Sequence, residues 1–404
     1  MSAGWEIVKL DEVISFERGL TYAKGDEVAY SSVGVLRSNN VDLTTQSLNL
    51  DEIKYLREDF EVPPKKKVRK SSLLMCMSNG SKDHLGKVAL IDRELDYAFG
   101  GFMGLLTPDE GKVFPKYLYY ALASKSFKDY IHSLADGANI NNLKYKDLAA
   151  FDILLPSLAE QQRIVDVLDQ EFAKIDALKA NAEKSLQAAK DLFQATLKKE
   201  LEPKEGWSIN RLGDICTITS SKRIYKNEYV PDGIPFYRTK EVKEISNGRP
   251  ISVELYISRE RYNEIKRKFG VPQPNDILVS AVGTIGEMMI VRDNSPFYFK
   301  DGNLVWLKGI TKADPEYLRY YLQSVINQIK EMTIGAAYSA LTIEKFQEME
   351  VALAPSLREQ QAIVSQLDNL KGKCKNLQDN YQKTLALCDD LKQSLLRKAF
   401  NGEL

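Results

Sequence analysis

The sequence predicts an α+β fold: two similar mixed α/β domains, each followed by a long helix. Three features of the chain carry that expectation. It repeats itself at an interval near 200 residues, each copy opens on short β-like runs before its first helix, and each copy closes on a stretch with coiled-coil spacing. Strands followed by helices, without strict alternation, are the pattern of an α+β domain rather than a doubly wound one. The expected boundaries are residues 1–155 and 202–354 for the domains, and 156–201 and 355–404 for the helices.

The repeat is strongest where a domain meets its helix. Residues 156–169 read PSLAEQQRIVDVLD and residues 355–368 read PSLREQQAIVSQLD, identical at ten of 14 positions at an offset of 199. Unrelated segments of average composition would share about one. The register persists elsewhere. Trp5-Glu-Ile-Val-Lys-Leu matches Trp207-Ser-Ile-Asn-Arg-Leu, PKYLYYAL from Pro115 matches PEYLRYYL from Pro315, and GANINNL from Gly137 matches GAAYSAL from Gly335. A period this long is far beyond a solenoid unit, so a whole domain and its appendage are duplicated.

Within the first copy, Leu73–Met77 and Lys87–Ile91 read as strands and a helix begins near Pro115. In the second, Ile277–Val282, Met288–Val291 and Leu304–Leu307 take the strand part. Asp314 before Pro315 sets an N-cap ahead of a proline whose missing N–H costs nothing at the first helical position.

The last stretch of each copy differs in kind. From Ile363, apolar positions recur by four and three: Leu367, Leu370, Cys374, Leu377, Tyr381, then Cys388, Leu391 and Leu395, interrupted by Thr384 alone. Sustained over more than four heptads, this is a coiled-coil seam. The equivalent positions of the first copy include Ile164, Leu168, Ile175, Leu178, Ala182, Ala189 and Leu192, a thinner seam with small residues. Tyr381 needs small neighbours, so the two seams are expected to face each other; the alternative is that each helix packs on its own domain. Leu201-Glu-Pro-Lys-Glu-Gly-Trp207 ends the first helix with Pro203 and Gly206 and restarts the pattern.

Composition narrows the function. The chain carries 56 Lys+Arg and 56 Asp+Glu, 44% hydrophobic and 28% charged residues over 404 positions, the profile of an ordinary globular protein of two to four domains. No apolar run approaches the roughly 18 residues of a membrane span, and MSAGWEIVKLDEV lacks the apolar core of a signal peptide. Four cysteines without a CxxC pair, and only His84 and His132, argue against a zinc site or disulfide framework and for a reducing cytoplasm. A net charge of zero argues globally against a nucleic-acid partner, so such a partner has to be met by local charge.

The motifs that imitate catalysis are incomplete. Gly80-Ser-Lys-Asp-His-Leu-Gly86-Lys87 resembles a phosphate-binding loop, but five residues separate the glycines and Val88 stands where a magnesium-binding hydroxyl belongs. Asp232, Glu241 and Lys243 imitate a metal-dependent nuclease, although Asp232-Gly233 reads more simply as a turn. There is no glycine-rich cofactor fingerprint after a strand and no Asn/Asp-Pro-Pro-aromatic run, so the chain reads as lacking catalysis and binding no cofactor. A basic run does stand out: Lys65, Lys66, Lys67, Arg69 and Lys70 lead through a strand into Ser78-Asn79-Gly-Ser81-Lys82-Asp-His84. Lysines neutralise phosphates, and Asn, Ser and His reach base edges. Upstream, Arg37-Ser-Asn39 pairs with Arg238-Thr239-Lys240, and Ser280-Ala-Val-Gly-Thr284-Ile-Gly286 is the loop of the second copy. These places suit DNA contact, with structural turns as the rival role.

At this point the residues resemble a family, the specificity subunits of type I restriction-modification systems. The likeness covers nearly the whole chain and rests on the two Pro-Ser-Leu-x-Glu-Gln-Gln helix openings at Pro156 and Pro355, on Leu396-Arg-Lys-Ala-Phe-Asn-Gly-Glu-Leu404, on the Trp-x-Ile-x-x-Leu openings, and on Asp276-Ile-Leu-Val-Ser280 leading into Gly283-Thr-Ile-Gly286. The first copy departs from that last pattern, with Ser72 for the acid and a longer Asn79–Gly86 loop. The resemblance implies two target-recognition domains, each reading one half of a bipartite, asymmetric target in double-stranded DNA. It implies two helices paired antiparallel about a pseudo-two-fold axis. It also implies two modification subunits that methylate adenine with S-adenosylmethionine, and restriction/translocase subunits that join them. The rival readings are a homodimerising adaptor with a coiled-coil stalk and a stand-alone nuclease.

Overall fold

The computed structural model describes residues 5–135, 142–332 and 341–404; most of the paired motifs at Gly137 and Gly335 lies outside them. The first copy runs β1 (Glu6–Lys9), β2 (Ile14–Arg18), β3 (Glu27–Val28), β4 (Val33–Leu36), β5 (Lys54–Leu56), β6 (Leu73–Cys76), β7 (Val88–Leu90), β8 (Tyr97–Phe99) and β9 (Met103–Pro108). Then follow α1 (Pro115–Ala123), α2 (Lys125–Ala135), α3 (Tyr145–Ala149), β10 (Asp152–Leu155) and the long α4 (Leu158–Glu200). The second copy runs β11 (Ser208–Arg211), α5 (Leu212–Ile215), β12 (Thr217–Thr219), β13 (Tyr229–Val230), β14 (Ile234–Tyr237), α6 (Thr239–Ser246), β15 (Tyr256–Ile257) and α7 (Arg259–Phe269). It continues through β16 (Ile277–Ser280), β17 (Met288–Ile290), β18 (Tyr298–Phe299), β19 (Leu304–Lys308), α8 (Pro315–Met332), α9 (Ile343–Glu348), β20 (Glu350–Leu353) and the long α10 (Leu357–Phe400).

Sheet topology proves the duplication. The first copy pairs its strands in the orders β2-β9-β6-β7 and β3-β5-β4-β8, plus β1 with β10; the second gives β12-β19-β16-β17, β13-β15-β14-β18 and β11 with β20. Register agrees as well, Leu73 opposite Leu106 in one copy and Ile277 opposite Leu307 in the other. The central strands β6 and β16 are buried at every position because both faces are covered. Leu73 and Met75 face the helices, while Leu74 and Cys76 face the second sheet. Even the turn before β6 recurs before β16: Ser71 and Asn275 both hold positive φ, at 66° and 76°. The copies differ where α6 and α7 replace short 3₁₀ turns at Ser38–Asn40 and Pro64–Lys66.

The repeated helix opening now has a structural reason. Ser157 and Ser356 cap the long helices by accepting from the amides of Glu160 and Glu359. Gln161 is fully buried, accepts from the Phe114 amide at 2.7 Å and donates to the carbonyls of Lys112 and Pro156; Gln360 accepts from the Asp314 amide at 2.7 Å in the same way. The expected Asp314 N-cap is present, its carboxylate accepting from the Glu316 and Tyr317 amides.

The chain divides into two compact units, Met1–Glu183 with Gln382–Leu404, and Lys184–Tyr381. Each holds a mixed domain and part of both long helices, so the division falls inside the helices and not at their ends. In the first unit the helices run antiparallel: Arg163 donates to the Leu404 carbonyl, Lys392 pairs with Asp176, and Lys179 pairs with Asp389. In the second, Leu197 and Leu201 share a core with Leu367, flanked by Phe193, Ile363 and Val364. The same helices also pack on the domains, Ile164, Val165 and Leu168 in the first unit's core and Leu367 in the second's. Both arrangements offered by the heptads therefore coexist.

The seam itself needs a correction. Ile164, Leu168, Ile175, Ala182 and Ala189 are buried, as are Leu367, Cys374 and Cys388, while Ile363, Leu370, Tyr381 and Leu395 are half-buried. Leu178, Leu192, Leu377 and Leu391, expected inside, are 41–50% exposed. The inward series lies one residue later, at Phe172, Lys179, Leu186 and Phe193, and at Gln378, Leu385 and Lys392. At Lys179 and Lys392 the ammonium groups reach Asp389 and Asp176, so the long stems cover the flank of the seam while the charges stay paired at its rim. Among the described residues no helix is long and apolar enough to cross a membrane.

Candidate nucleic-acid interface

In the first unit the carboxyl ends of β2, β4, β6 and β8 converge on a groove of about 1030 Å³. Four of the residues expected to meet DNA, Arg37, Asn39, Ser78 and Asn79, line it together with Arg18, Lys24 and Phe102. Its floor depends on a close backbone approach: a Cβ at Gly19 would stand 1.9 Å from the Gly100 carbonyl oxygen, so only glycine fits there.

Two asparagines fix the polar turns of the groove. Buried Asn40 accepts from the Arg37 amide at 2.8 Å and donates to the carbonyls of Asn49 and Glu52, which fixes the Arg37-Ser38-Asn39 turn. Asn79 donates to the Ser38 hydroxyl at 2.9 Å and accepts from the Ser81 amide, tying the β4 and β6 ends together. The Nε of Arg37 is buried without a hydrogen-bond partner, so the guanidinium keeps unmet donor capacity beside the groove. The acid on the lining, Glu27, is paired with Lys54 at 2.7 Å, and that hydrogen bond holds its carboxyl below the usual range.

The second unit builds the same place differently. Arg238 occupies the position of Arg37 and Glu241 that of Asn40, its carboxylate again accepting the arginine amide, at 2.7 Å. Glu241 is fully buried, and with Glu254 it binds the Arg238 guanidinium at 2.8 and 2.9 Å. Lys240 also pairs with Glu254. These carboxylates push the Arg238 pKa up, and the two cations hold the Glu254 carboxyl down. Thr239 is half-buried with its hydroxyl unpartnered. Thr284 is exposed at the tip of the next loop, where Gly283 and Gly286 take positive φ and buried Ser280 donates to the Thr284 carbonyl at 2.5 Å.

The basic run is only partly open. Lys65, Arg69 and Lys70 are exposed. Lys66 instead bonds Glu17 at 2.5 Å and the Arg18 carbonyl at 2.7 Å, and Lys67 pairs with Asp96 at 2.5 Å. Both clamp the run to the domain, one at β2 and one just before β8. Beyond the groove, Ser81 and Lys82 are exposed, while the Nδ1 of His84 is buried without a hydrogen bond.

The two catalytic imitations do not assemble. Lys87 is buried and donates to the Val41 carbonyl at 2.7 Å, which leaves its ammonium turned into the domain. Both Glu241 oxygens are taken by Arg238, and Asp232 is an exposed turn residue. Among the described residues no group of three or more His, Cys, Asp or Glu could hold a metal ion. Sequence reading overlooked Arg18, Lys24 and Phe102. The Gly100-Gly101 pair before Phe102 was the available signal of a tight turn presenting a side chain.

The sequence profile of the type I restriction modification DNA specificity domain matches this chain twice, over residues 2–188 and 204–385. The chain belongs to this family. It is 26% identical over 429 residues to the type I restriction enzyme EcoKI specificity subunit of Escherichia coli (strain K12), covering 99% of this chain and 89% of that protein. It is also 26% identical to the StySPI specificity subunit of Salmonella potsdam, with the same coverage. Among solved structures, one described as the complex assembly and conformational transition of the type I R-M system aligns with a TM-score of 0.81 at 20% identity, covering 100% of this chain and 99% of that one. The HsdS subunit from Thermoanaerobacter tengcongensis aligns at 0.61 and 20%, covering 100% and 98%. These structures share the fold. The type I specificity chain thus carries two target-recognition domains, one in each unit, and serves DNA specificity rather than catalysis.

Proposed function

We propose that each unit of this specificity chain reads one half of a bipartite, asymmetric site in double-stranded DNA. The observation that carries the reading is the contrast at one duplicated position. One scaffold presents Arg37 with unmet donors over a groove in the first unit, and the other neutralises Arg238 with Glu241 and Glu254. Two frames of the same sheet topology with differently charged reading surfaces suit two different half-sites. Groove residues with donor and acceptor groups read base edges, while Lys65 and Arg69 meet phosphates.

The long helices set the gap between half-sites and dock two modification subunits, which bind S-adenosylmethionine and methylate adenine. The outward leucines, Leu178, Leu192, Leu377, Leu387 and Leu391, supply apolar area for that docking. Restriction/translocase subunits join the same assembly. A reducing cytoplasm suits the four cysteines, all free and buried.

Mapping of methylated adenines in DNA exposed to the chain with its modification subunits tests the reading. The expected result is one two-part motif with a fixed gap, whose first half alone changes on Asn79→Ala. Inserting four residues after Ala195 should lengthen the preferred gap. Methylation without a motif, or equal disturbance of both halves by Asn79→Ala, would overturn it.

A further inference from the structure

Phe102 has no role in hydrogen-bonded reading, yet it stands at the groove of the first unit with 69% of its surface exposed. Its backbone is fixed. The Phe102 carbonyl accepts from the amides of Met77 at 2.8 Å and Ser78 at 3.1 Å, and the next residue, Met103, bonds the Gly100 carbonyl at 2.8 Å. A bulky apolar ring held in water on a rigid turn gains nothing for the folded chain, since the hydrophobic effect favours its burial.

Its surroundings indicate what covers it. The ring shares the lining with Arg18, Lys24, Arg37 and Asn79, cations and an amide. An apolar wedge among arginine, lysine and asparagine is the chemistry that unstacks a base step in double-stranded DNA. The corresponding turn of the second unit, Lys300-Asp301-Gly302-Asn303, has no aromatic residue, and its Asp301 is paired with Arg223 at 2.8 Å.

We propose that Phe102 is inserted between neighbouring base pairs of the half-site bound by the first unit, unstacking one step, and that the second half-site is read without insertion. The proposal rests on the reading of this chain as a DNA-specificity subunit. It adds a deformation energy to recognition, so the first half-site is selected partly for a step that opens easily, such as pyrimidine–purine.

The test uses the full chain assembled with its modification subunits on its mapped target, carrying 2-aminopurine at successive positions. Apart from the adenines that the modification subunits extrude for methylation, the wild type should raise fluorescence at one step, within the half-site that Asn79→Ala identifies as the first unit's. Phe102→Ala should abolish that rise and weaken binding about 5- to 100-fold. The slope of affinity against salt should stay unchanged, because no phosphate contact is lost. An unaltered melting temperature would show that the variant folds. Wild-type affinity in Phe102→Ala overturns the wedge. So does weakened binding with no such fluorescence change in the wild type, especially if replacing thymine by uracil mimics it, since the ring would then touch a thymine methyl. A wild-type assembly with no sequence preference would instead overturn the DNA-specificity reading itself.

Discussion

The phenol of Tyr120 and the carboxylate of Asp169 lie 2.5 Å apart, joining α1 to α4, and Tyr320 makes the same 2.5 Å bond to Asp368 in the second copy. The neighbouring tyrosines complete the joint, Tyr117 donating to the Leu154 carbonyl and Tyr317 to that of Ala352. Repeated tyrosines thus anchor the recognition domains to the helices. Tyr120→Phe or Tyr320→Phe should cost about 1.5–3 kcal/mol, the worth of a hydrogen bond to a charged group, read as a shift in urea midpoint. DNA specificity should not change.

The same tyrosines set an alkaline limit. Burial, and then the bond to Asp368, push the Tyr320 pKa up to about 12, and burial takes Tyr119 to about 12 as well. A raised folded value favours the neutral phenol in the folded state. Its contribution is therefore full below pH 10 and lost as pH rises through about 12. Melting temperature followed against pH, with tyrosinate absorbance alongside, should fall across that window, and less in Tyr320→Phe.

Arg37 and Arg238 should respond in opposite ways. Arg238→Ala leaves the buried Glu241 carboxylate without its partner and should destabilise the second unit by about 3 kcal/mol. Arg37→Ala removes no hydrogen bond of its guanidinium and should leave stability nearly unchanged, while weakening DNA binding. Chemical denaturation beside equilibrium DNA binding separates the two.

Within the basic run, only the open residues should act as phosphate contacts. Lys65→Ala and Arg69→Ala should each lower the log–log salt slope of DNA binding by about 0.9. Lys66→Ala should change that slope little and act on stability, since its ammonium already serves Glu17 and the Arg18 carbonyl.

Along the helices, Leu178→Asp should leave folding intact and impair assembly with modification subunits, because that leucine faces outward. Ala182→Leu should do the reverse. Its site is buried and close-packed, so overpacking should cost about 1–3 kcal/mol. Co-purification and thermal melting distinguish them.

Much of this protein was determined by its sequence. Duplication, the strands around Leu73 and Ile277, the Asp314 cap and the start of both long helices are local or periodic features, written in adjacent residues. Only the tertiary structure decided which heptad position faces inward. A one-residue choice between Leu178 and Lys179 turns on the partner helix, whose Asp389 pairs the lysine. It also decided which cations remain open, because the acids that engage Lys66, Lys67 and Lys240, and the second acid on Arg238, lie elsewhere in the chain: Glu17, Asp96 and Glu254. The groove is the extreme case. Arg18, Arg37, Asn79 and Phe102 come together only because four strand ends converge, and charge and hydrogen-bond pairing across such separations leaves no local pattern to read.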